Sequence, residues 1–391
     1  MTDPADAPPT LTQLSLYFLK LGAVGFGGPA ALVDRMRRDL LEDRGWVTAA
    51  EFDLGLTIAA ACPGPLAYQL AVYCAYVRHR AVGAFAVGIT FALVPFALVS
   101  VVAAAYEQWS TSVLARGLFY GAGPVVVALI ARACWSLGRK TLHRAWVAWI
   151  LCASGAAVTW ATEQEPTWLF VLAGVLGVFL LRPHPSHSRR QAASPTTTSR
   201  MTGFGAILVM LAPNTAGTTA QLFAFFFKTG CLVFGSGLVI VPFLRTAVVD
   251  THHWMSVQEF LDAVTVGLVS PGPVVITATF VGYLVGEWPG AMAATTGMFL
   301  PAILSTIAAA PWFARHQHNP GLTGFVRGIT ATVVGVLAGT LPLIARGAVP
   351  DWAAVVILAA ATVLMARRVS DPILVAVGAM TGAAIAWATD V

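Results

Sequence analysis

Long apolar runs separated by short charged segments constrain the fold of this chain more than any other feature. The runs near 82–105, 117–137, 291–310 and 328–345 are each long enough for a helix to cross a hydrocarbon core of about 30 Å. Charged residues make up only 10% of the sequence, compared with about 25% in a soluble domain. The pattern predicts an all-α polytopic membrane protein and excludes a soluble enzyme.

The positive charges lie in short segments between the apolar runs, at 78–80, 139–140 and 367–368. Such clusters orient membrane helices by staying in the cytoplasm. The net charge of +5 therefore indicates contact with the lipid bilayer and no nucleic-acid partner. The five cysteines have no metal-binding spacing, and no Walker loop is present. We expect no metal, no cofactor and no ATP hydrolysis.

The second half of the chain repeats the first. Residues 20–65 align without a gap to the residues 208 positions further along, and a set of residues in this stretch is identical in both copies. The repeated positions are Lys20/Lys228, Phe26/Phe234, Gly27/Gly235, Arg37/Arg245, Trp46/Trp254, Glu51/Glu259, Phe52/Phe260 and the triplets Pro63-Gly64-Pro65 and Pro271-Gly272-Pro273. Agreement of so many polar and aromatic residues on one offset indicates an internal duplication. We expect two homologous repeats at 11–182 and 219–391, joined by a linker at 183–218 that begins polar and solvated.

The distribution of charge predicts that the two repeats are inverted. Placing the Arg-rich segments and the linker in the cytoplasm gives each repeat an odd number of crossings, so the second repeat is upside down relative to the first. Inverted repeats are a recurring architecture of secondary transporters. This count treats the first apolar segment, near 11–26, as a crossing, and it therefore places the residues before that segment outside the cell.

Each Pro-Gly-Pro triplet lies between two apolar segments that are short for a membrane span. The triplet interrupts a helix because proline lacks a backbone donor and glycine loosens the backbone, which predicts a broken helical hairpin in each repeat. Interrupted helices occur at membrane depth where they line a cavity or are buried in protein, and the resumed helix offers N–H groups to an anion. We expect a substrate site here, with a simple kink as the alternative. The candidate binding residues are Pro63, Gly64, Pro65, Gln69, Pro271, Gly272, Pro273 and Thr277.

Lys20 and Lys228 each lie inside an apolar segment, six residues before a Phe-Gly pair. A cation buried at bilayer depth costs at least about 2.5 kcal/mol, so a symmetric pair suggests positive charges that face an anion pathway. The alternative is that each ammonium snorkels to the interface. The glycines that follow would let the backbone approach a ligand or another helix closely. They add the candidate binding residues Gly27, Gly28, Gly235 and Ser236.

Two further repeated pairs are candidates for the pathway or for proton coupling. Arg37 and Arg245 could recruit an anion at the mouth of the pathway, although Arg37 has acidic neighbours, including Glu51, with which it could pair instead. Glu51 and Glu259 could carry protons, but each lies in the first turn of an expected helix, where a carboxylate offsets the helix dipole. We favour the capping role for both carboxylates.

The strings around these residues resemble the two domains of the chromate ion transporter family. The resemblance runs from Leu14 to about Pro301 and rests on CPGPLAYQLAVYCAYVR in the first half and EFLDAVTVGLVSPGPVVITATFVGYLVG in the second. It implies a two-domain carrier of the cytoplasmic membrane that exports chromate and confers chromate resistance, with sulfate as a competing dianion. Leu32 and Leu66-Ala67 depart from the family pattern, which leaves the choice of anion open.

The sequence is compatible with three classes of function. The first is secondary export of chromate, and the second is transport of sulfate or another oxyanion. The third is a membrane subunit without transport activity, structural or enzymatic. An enzyme would need a titratable cluster that faces a cavity, and none is apparent in the sequence, so we do not expect enzymatic activity. Association of two copies as a homodimer is left open.

Overall fold

The computed structural model describes residues 9–26, 28–142, 146–162, 167–181, 217–235, 237, 240–316, 320–367 and 369–389. Within these ranges the first half forms seven α-helices: α1 (Leu11–Val24), α2 (Gly28–Met36), α3 (Ala49–Ala61), α4 (Leu66–Trp109), α5 (Val113–Thr141), α6 (Trp146–Thr162) and α7 (Thr167–Leu180). The second half forms seven more: α8 (Thr218–Gly230), α9 (Ile240–Arg245), α10 (Val257–Val269), α11 (Thr277–His316), α12 (Pro320–Ala348), α13 (Trp352–Ala366) and α14 (Asp371–Thr389). The polar start of the predicted linker, at 182–200, lies outside the described residues.

Shorter elements complete the described chain. A π-helical segment extends α2 (Arg37–Asp43) and another extends α9 (Thr246–Thr251), and a 3₁₀ turn (Val274–Ile276) precedes α11. Two strands of two residues each, β1 (Gly64–Pro65) and β2 (Phe234–Gly235), pair in parallel.

The helices have the length and apolarity that a membrane requires. Five stretches among the described residues are long and apolar enough to cross a bilayer: Leu66–Trp109, Val113–Arg139, Val274–Trp312, Gly324–Ala348 and Asp371–Ala388. Shorter apolar helices, α1, α6, α7 and α13, accompany them. Large apolar side chains such as Trp149, Trp160 and Trp352 are exposed on the outer surface, as expected where the surroundings are lipid. The predicted all-α polytopic membrane fold is confirmed.

Helix α3 and the first part of α4 form an antiparallel hairpin. Helix α3 begins with a capping box between Thr48 and Glu51, and the Arg78 guanidinium then holds both oxygens of Glu51 at 2.9 and 2.7 Å. Halfway along the hairpin, Gly55 lies against the ring of Tyr73. The start of α3 and Arg78 of α4 therefore lie together and form the base of the hairpin, and the Pro-Gly-Pro triplet forms its tip. We call the end of the molecule at which this base lies the Arg78 end.

Helix α4 reverses direction immediately after this hairpin. His79 and Arg80 have non-helical dihedral angles, with φ of +53° at Arg80, and Gly83 packs on the carbonyl of Ala75 across the turn. Helix α11 reverses direction in the same way at Gly286 and Glu287, and φ at Glu287 is +51°. Each long helix is therefore two antiparallel helices, as the separate apolar segments at 66–77 and 82–105 predict.

Helix α1 and the segment after it form a second hairpin that enters from the Arg78 end. The hydroxyl of Tyr17 donates to Asp39 at 2.9 Å, so the chain returns along α1 after its break near Gly25. The carbonyl of Pro9 lies 2.8 Å from a ring nitrogen of His79. A 14-residue helix covers only about 21 Å and turns back, which disagrees with the predicted crossing of the first segment; the side of the membrane on which the chain begins stays a prediction.

The corresponding hairpin of the second repeat lies at the opposite end of the molecule. After its reversal α4 continues to Trp109, a distance of about 43 Å, and Tyr106 near its far end donates to Asp262 of α10 at 2.7 Å. Leu222 of α8 packs against Gly290, just past the reversal in α11. Helices α8 and α10 therefore both begin at this second end, which we call the Asp262 end.

The end of α7 and the start of α8 lie at opposite ends of the molecule. Gly177 of α7 packs on Gly324, near the start of α12. That start follows the end of α11, where Ala310 lies in one apolar cluster with Tyr73 of the first hairpin. Helix α7 thus ends at the Arg78 end, whereas α8 begins at the Asp262 end.

Glycines bring helices of the two repeats into close contact. Gly117 and Gly121 of α5 pack against Gly378 and Gly382 of α14, and the symmetric pairing joins Gly177 of α7 to α12. Spacing of four residues between small residues lets membrane helices approach until their backbones touch. The described helices of the two repeats are therefore interleaved instead of forming separate bodies.

Candidate functional site

The tips of the hairpins meet, and each tip pairs with a break of the other repeat. The N–H of Gly64 donates to the carbonyl of Val233 at 2.6 Å, and the N–H of Gly272 donates to the carbonyl of Gly25 at 3.0 Å. The two donors are 208 positions apart, as are the two acceptors. Reciprocal contacts of this kind are the mark of a two-fold relation. We call the backbone around these four residues the tip cluster.

The Pro-Gly-Pro sequence explains why the glycine N–H of each triplet donates to the other repeat. Gly64 has φ of +138° and Gly272 has φ of +88°, a region that a side chain disfavours. Between two prolines, the glycine also supplies the only N–H of the triplet. That donor is the one that reaches across to the other repeat, and β1 and β2 continue the contact by pairing Gly64 with Phe234 and Pro65 with Gly235.

Both breaks are enclosed by protein. Gly64 and Pro65 are buried, as are all three residues of the second triplet. A Cβ on Gly64 would lie 2.6 Å from the Cβ of Ala302, and one on Gly272 would lie 2.7 Å from Cγ of Pro95. Each tip therefore rests on a spanning helix, which meets the condition under which irregular backbone is stable at membrane depth.

Buried polar side chains surround the first tip. Gln69 is fully buried, and its Nε2 donates to the carbonyl of Pro63 at 2.8 Å and to the hydroxyl of Ser305 at 3.2 Å. Its Oε1 is buried without a hydrogen-bond partner. Ser305, which sequence reasoning missed, also donates to Pro63 at 3.1 Å. Gln69 thus holds the tip in place and leaves one free acceptor.

The second tip has hydroxyl groups where the first has an amide. Thr277 occupies the position equivalent to Gln69 and donates to the carbonyl of Val274 at 2.9 Å. Ser270 donates to the carbonyl of Gly267 at 3.3 Å. Thr279, two residues further on, lies 2.7 Å from the hydroxyl of Thr295. The helices that resume after the breaks, α4 at Leu66 and the 3₁₀ turn at Val274, present their N-termini beside these groups.

Matches to known proteins cover most of the chain and identify its family. The model of the family described as "Chromate transporter" matches residues 12–178 and 220–383, one match in each repeat. The chain belongs to the chromate transporter family. It is 40% identical to the "Chromate transport protein" of Cupriavidus metallidurans, over 95% of this chain and 92% of the relative. It is 39% identical to the "Probable chromate transport protein" of Synechococcus elongatus, over 95% of each chain.

A more distant relative, the "Chromate transport protein" of Pseudomonas aeruginosa, is 30% identical over 87% of this chain and 82% of its own length. No solved structure matches the chain. Membership of this family, together with the apolar helices, makes the chain a multi-pass protein of the cytoplasmic membrane.

Within this chromate transporter scaffold, Lys20 and Lys228 lie on the helices that lead into the tip cluster, and both are exposed. Lys20 shares an outer stripe of α1 with Leu16 and Val24, which are 60% and 42% exposed. The pathway role of the two lysines and the snorkelling alternative therefore both stay open.

The capping role of the two glutamates is confirmed. Glu51 and Glu259 each complete a capping box, with Thr48 and Ser256 as the respective N-caps. Burial raises the pKa of Glu51, but hydrogen bonds from Arg78 and Thr48 outweigh this effect and hold the pKa below its ordinary value. A proton-coupling role for either glutamate stays a prediction.

The two repeated arginines have different surroundings. Arg37 lies over the ring of Phe52 at 6.0 Å, and the glutamate considered as its partner, Glu51, pairs with Arg78 instead. Arg245 lies 3.5 Å from Asp250, and its Nε is buried without a hydrogen-bond partner.

The remaining candidates lie at the breaks that follow α1 and α8. Gly28 begins α2, and Gly235 lies in β2. Gly27 and Ser236 lie outside the described residues.

Sequence reasoning missed Asp262, which is 3% exposed. The sequence did contain a signal for this residue: burial of a charge inside a membrane segment costs free energy, so an acidic residue within the apolar run of α10 is a candidate for a functional role.

Proposed function

We propose that this chain exports chromate by secondary transport and binds the dianion at the tip cluster. The carrying observation is the reciprocal pairing of the two Pro-Gly-Pro tips with the breaks of the opposite repeat. This pairing gathers helix N-termini, whose N–H groups suit an anion, at one buried place between the repeats. The names of the relatives from C. metallidurans and P. aeruginosa support chromate as the substrate.

The transport cycle that we propose depends on inverted repeats. Support comes from the two hairpin bases: Glu51 pairs with Arg78 just before the reversal in α4, and Asp262 pairs with Tyr106 near the far end of the same helix. Hairpins that enter from opposite sides and meet at their tips give a site that rocking of one repeat against the other opens alternately to each face. The end of α7 and the start of α8 lie at opposite ends of the molecule, which agrees with this arrangement.

The membrane potential supplies a driving force for export. A potential that is negative inside favours outward movement of a dianion by about 4.6 kcal/mol per 100 mV, twice the value for one charge. In this proposal Lys20 and Lys228 attract the dianion towards the tips. Arg245, whose buried Nε lacks a partner, guides it at the Asp262 end.

The first prediction concerns the two lysines. We expect K20Q and K228Q each to lower chromate uptake into inside-out vesicles by about tenfold or more, since each removes one cationic partner worth about 1.4 kcal/mol or more. Uptake is measured with radioactive chromate, with and without excess sulfate. The matched control is K140Q, which removes the same charge from the last turns of α5.

The outcomes separate the alternatives. Full activity of both lysine variants would assign the side chains to snorkelling. Sulfate uptake that exceeds chromate uptake would favour the general oxyanion carrier. No uptake of either anion by the unmodified protein would leave the non-transport subunit as the remaining function.

A further inference from the structure

A cavity of about 340 Å³ lies between the two repeats at the Asp262 end. It is separate from the tip cluster, and its polar lining comes from α4, α5 and α10 and from the turn between α4 and α5. The polar lining residues are Tyr106, Ser110, Arg116, Tyr120, Gln258 and Asp262. The rest of the lining is apolar or glycine.

Asp262 is the buried carboxylate of this cavity. Its side chain accepts hydrogen bonds from the Tyr106 hydroxyl at 2.7 Å and from Nε2 of Gln258 at 2.9 Å. No arginine or lysine among the described residues lies within ion-pair distance of it. A buried carboxylate that lacks a cationic partner costs several kcal/mol in its charged form, so taking up a proton relieves this cost.

The site exists in only one of the two repeats. The positions equivalent to Asp262 and Gln258 in the first repeat are Leu54 and Ala50. The fold is therefore built without this carboxylate in one half, and a purely structural need does not explain it in the other. A polar site on one side of a symmetric scaffold makes the two ends of the pathway different.

We propose that Asp262 is the proton-binding residue that couples chromate export to proton entry. This inference rests on the proposed transport function. A proton from the water at the Asp262 end converts the carboxylate to the neutral acid, whose O–H then donates to the Tyr106 oxygen while Gln258 still donates to the other carboxyl oxygen. No other bond forms or breaks, and the proton leaves to the opposite face when the repeats rock.

Neutralisation of Asp262 changes the electrostatics that a leaving dianion meets. The charged and titratable groups facing the carboxyl are Tyr106 from α4, Arg116 and Tyr120 from α5, and Glu259 from its own helix. With Asp262 ionised, its negative charge repels a dianion beside Arg116. With Asp262 protonated, Arg116 attracts the dianion without this opposition, so proton entry and chromate exit assist each other.

The test uses the full chain in inside-out vesicles with the membrane potential held at zero. For exchange of one proton per dianion, a lumen more acidic by one pH unit should raise steady-state chromate accumulation by about tenfold. D262N should abolish this response while uptake driven by an imposed potential persists. The control is E107Q, which removes an exposed carboxylate beside Tyr106 and should retain the tenfold response.

Two outcomes would overturn the coupling alone: a pH response that survives in D262N, or potential-driven uptake by the unmodified protein with no pH response. Absence of chromate uptake under either driving force would overturn the proposed function itself. Should D262N not be recovered in membranes, Y106F carries the test, because it keeps the carboxyl and removes a donor to its charged form. The midpoint of the uptake-against-pH profile should then move to higher pH, and an unchanged midpoint would contradict the proposal.

Discussion

The glycine inside each Pro-Gly-Pro triplet has two separate requirements. Its backbone has positive φ at both positions, and its N–H is the donor of the bond between the repeats. Any other residue would meet a spanning helix, Ala302 for Gly64 and Pro95 for Gly272. The positive φ and the contact with the facing helix therefore both require glycine at this position.

The second prediction follows at this scale. G64A and G272A should each abolish chromate uptake and lower the melting temperature, because a Cβ at positive φ costs about 1–2 kcal/mol and also clashes with the facing helix. Uptake and thermal unfolding are measured on the same preparations. G217A is the control, since Gly217 has negative φ and no atom within 4 Å of an added Cβ. Normal uptake by G64A would show that the tip geometry is dispensable.

Helix pairs of the two repeats pack through glycine, and this packing determines how closely the repeats are joined. Gly121 lies directly on the backbone of α14 at Gly378 and Gly382. A Cβ added to Gly123, on another face of the same helix, would lie 3.4 Å from its nearest neighbour, the carbonyl oxygen of Ala348. The two positions therefore differ in the room that they leave for a methyl group.

The third prediction uses this difference. G121A should lower the melting temperature of the purified protein, because overpacking between two backbones costs about 1–3 kcal/mol. G123A should leave it unchanged or raise it, since alanine is favoured over glycine in a helix by about 1 kcal/mol. Equal effects of the two substitutions would argue against close contact of α5 with α14.

At the scale of the whole molecule, reciprocal tip contacts give the two repeats a two-fold relation, and the positions of the hairpin bases support an axis that lies in the membrane plane. Asp43 and Thr251 are equivalent positions, 208 residues apart, and both are exposed. Asp43 ends the π-helical segment at the Arg78 end, and Thr251 ends its counterpart at the Asp262 end. The two positions distinguish inverted from parallel repeats.

The fourth prediction is that D43C and T251C react with a membrane-impermeant thiol reagent from opposite sides of the membrane. Cys134 and Cys231 are partly exposed and are first replaced by serine; background labelling should then be low, because Cys62, Cys74 and Cys152 are buried. S112C, in the exposed loop after α4, should react from the same side as T251C. Labelling of D43C and T251C from one side would mean parallel repeats and would remove the proposed rocking mechanism.

Sequence alone predicted the features that depend on local chemistry. Long apolar runs predicted membrane helices and Pro-Gly-Pro predicted the breaks, because each is set by neighbouring residues. The duplication was predictable because the two halves still share residues at a fixed offset. The capping roles of Glu51 and Glu259 were predictable for the same reason, since a capping box spans four positions.

Only the tertiary structure decided which breaks meet, which segments return instead of crossing, and which charges pair. The partner of Gly64 is Val233, and the partner of Asp262 is Tyr106; both contacts join residues more than 150 positions apart. The first apolar segment had the composition of a span, yet it turns back because packing of α1 against α4 stabilises a short helix that lipid alone would not. Contacts between distant residues leave no local periodicity, so the sequence carried no sign of them.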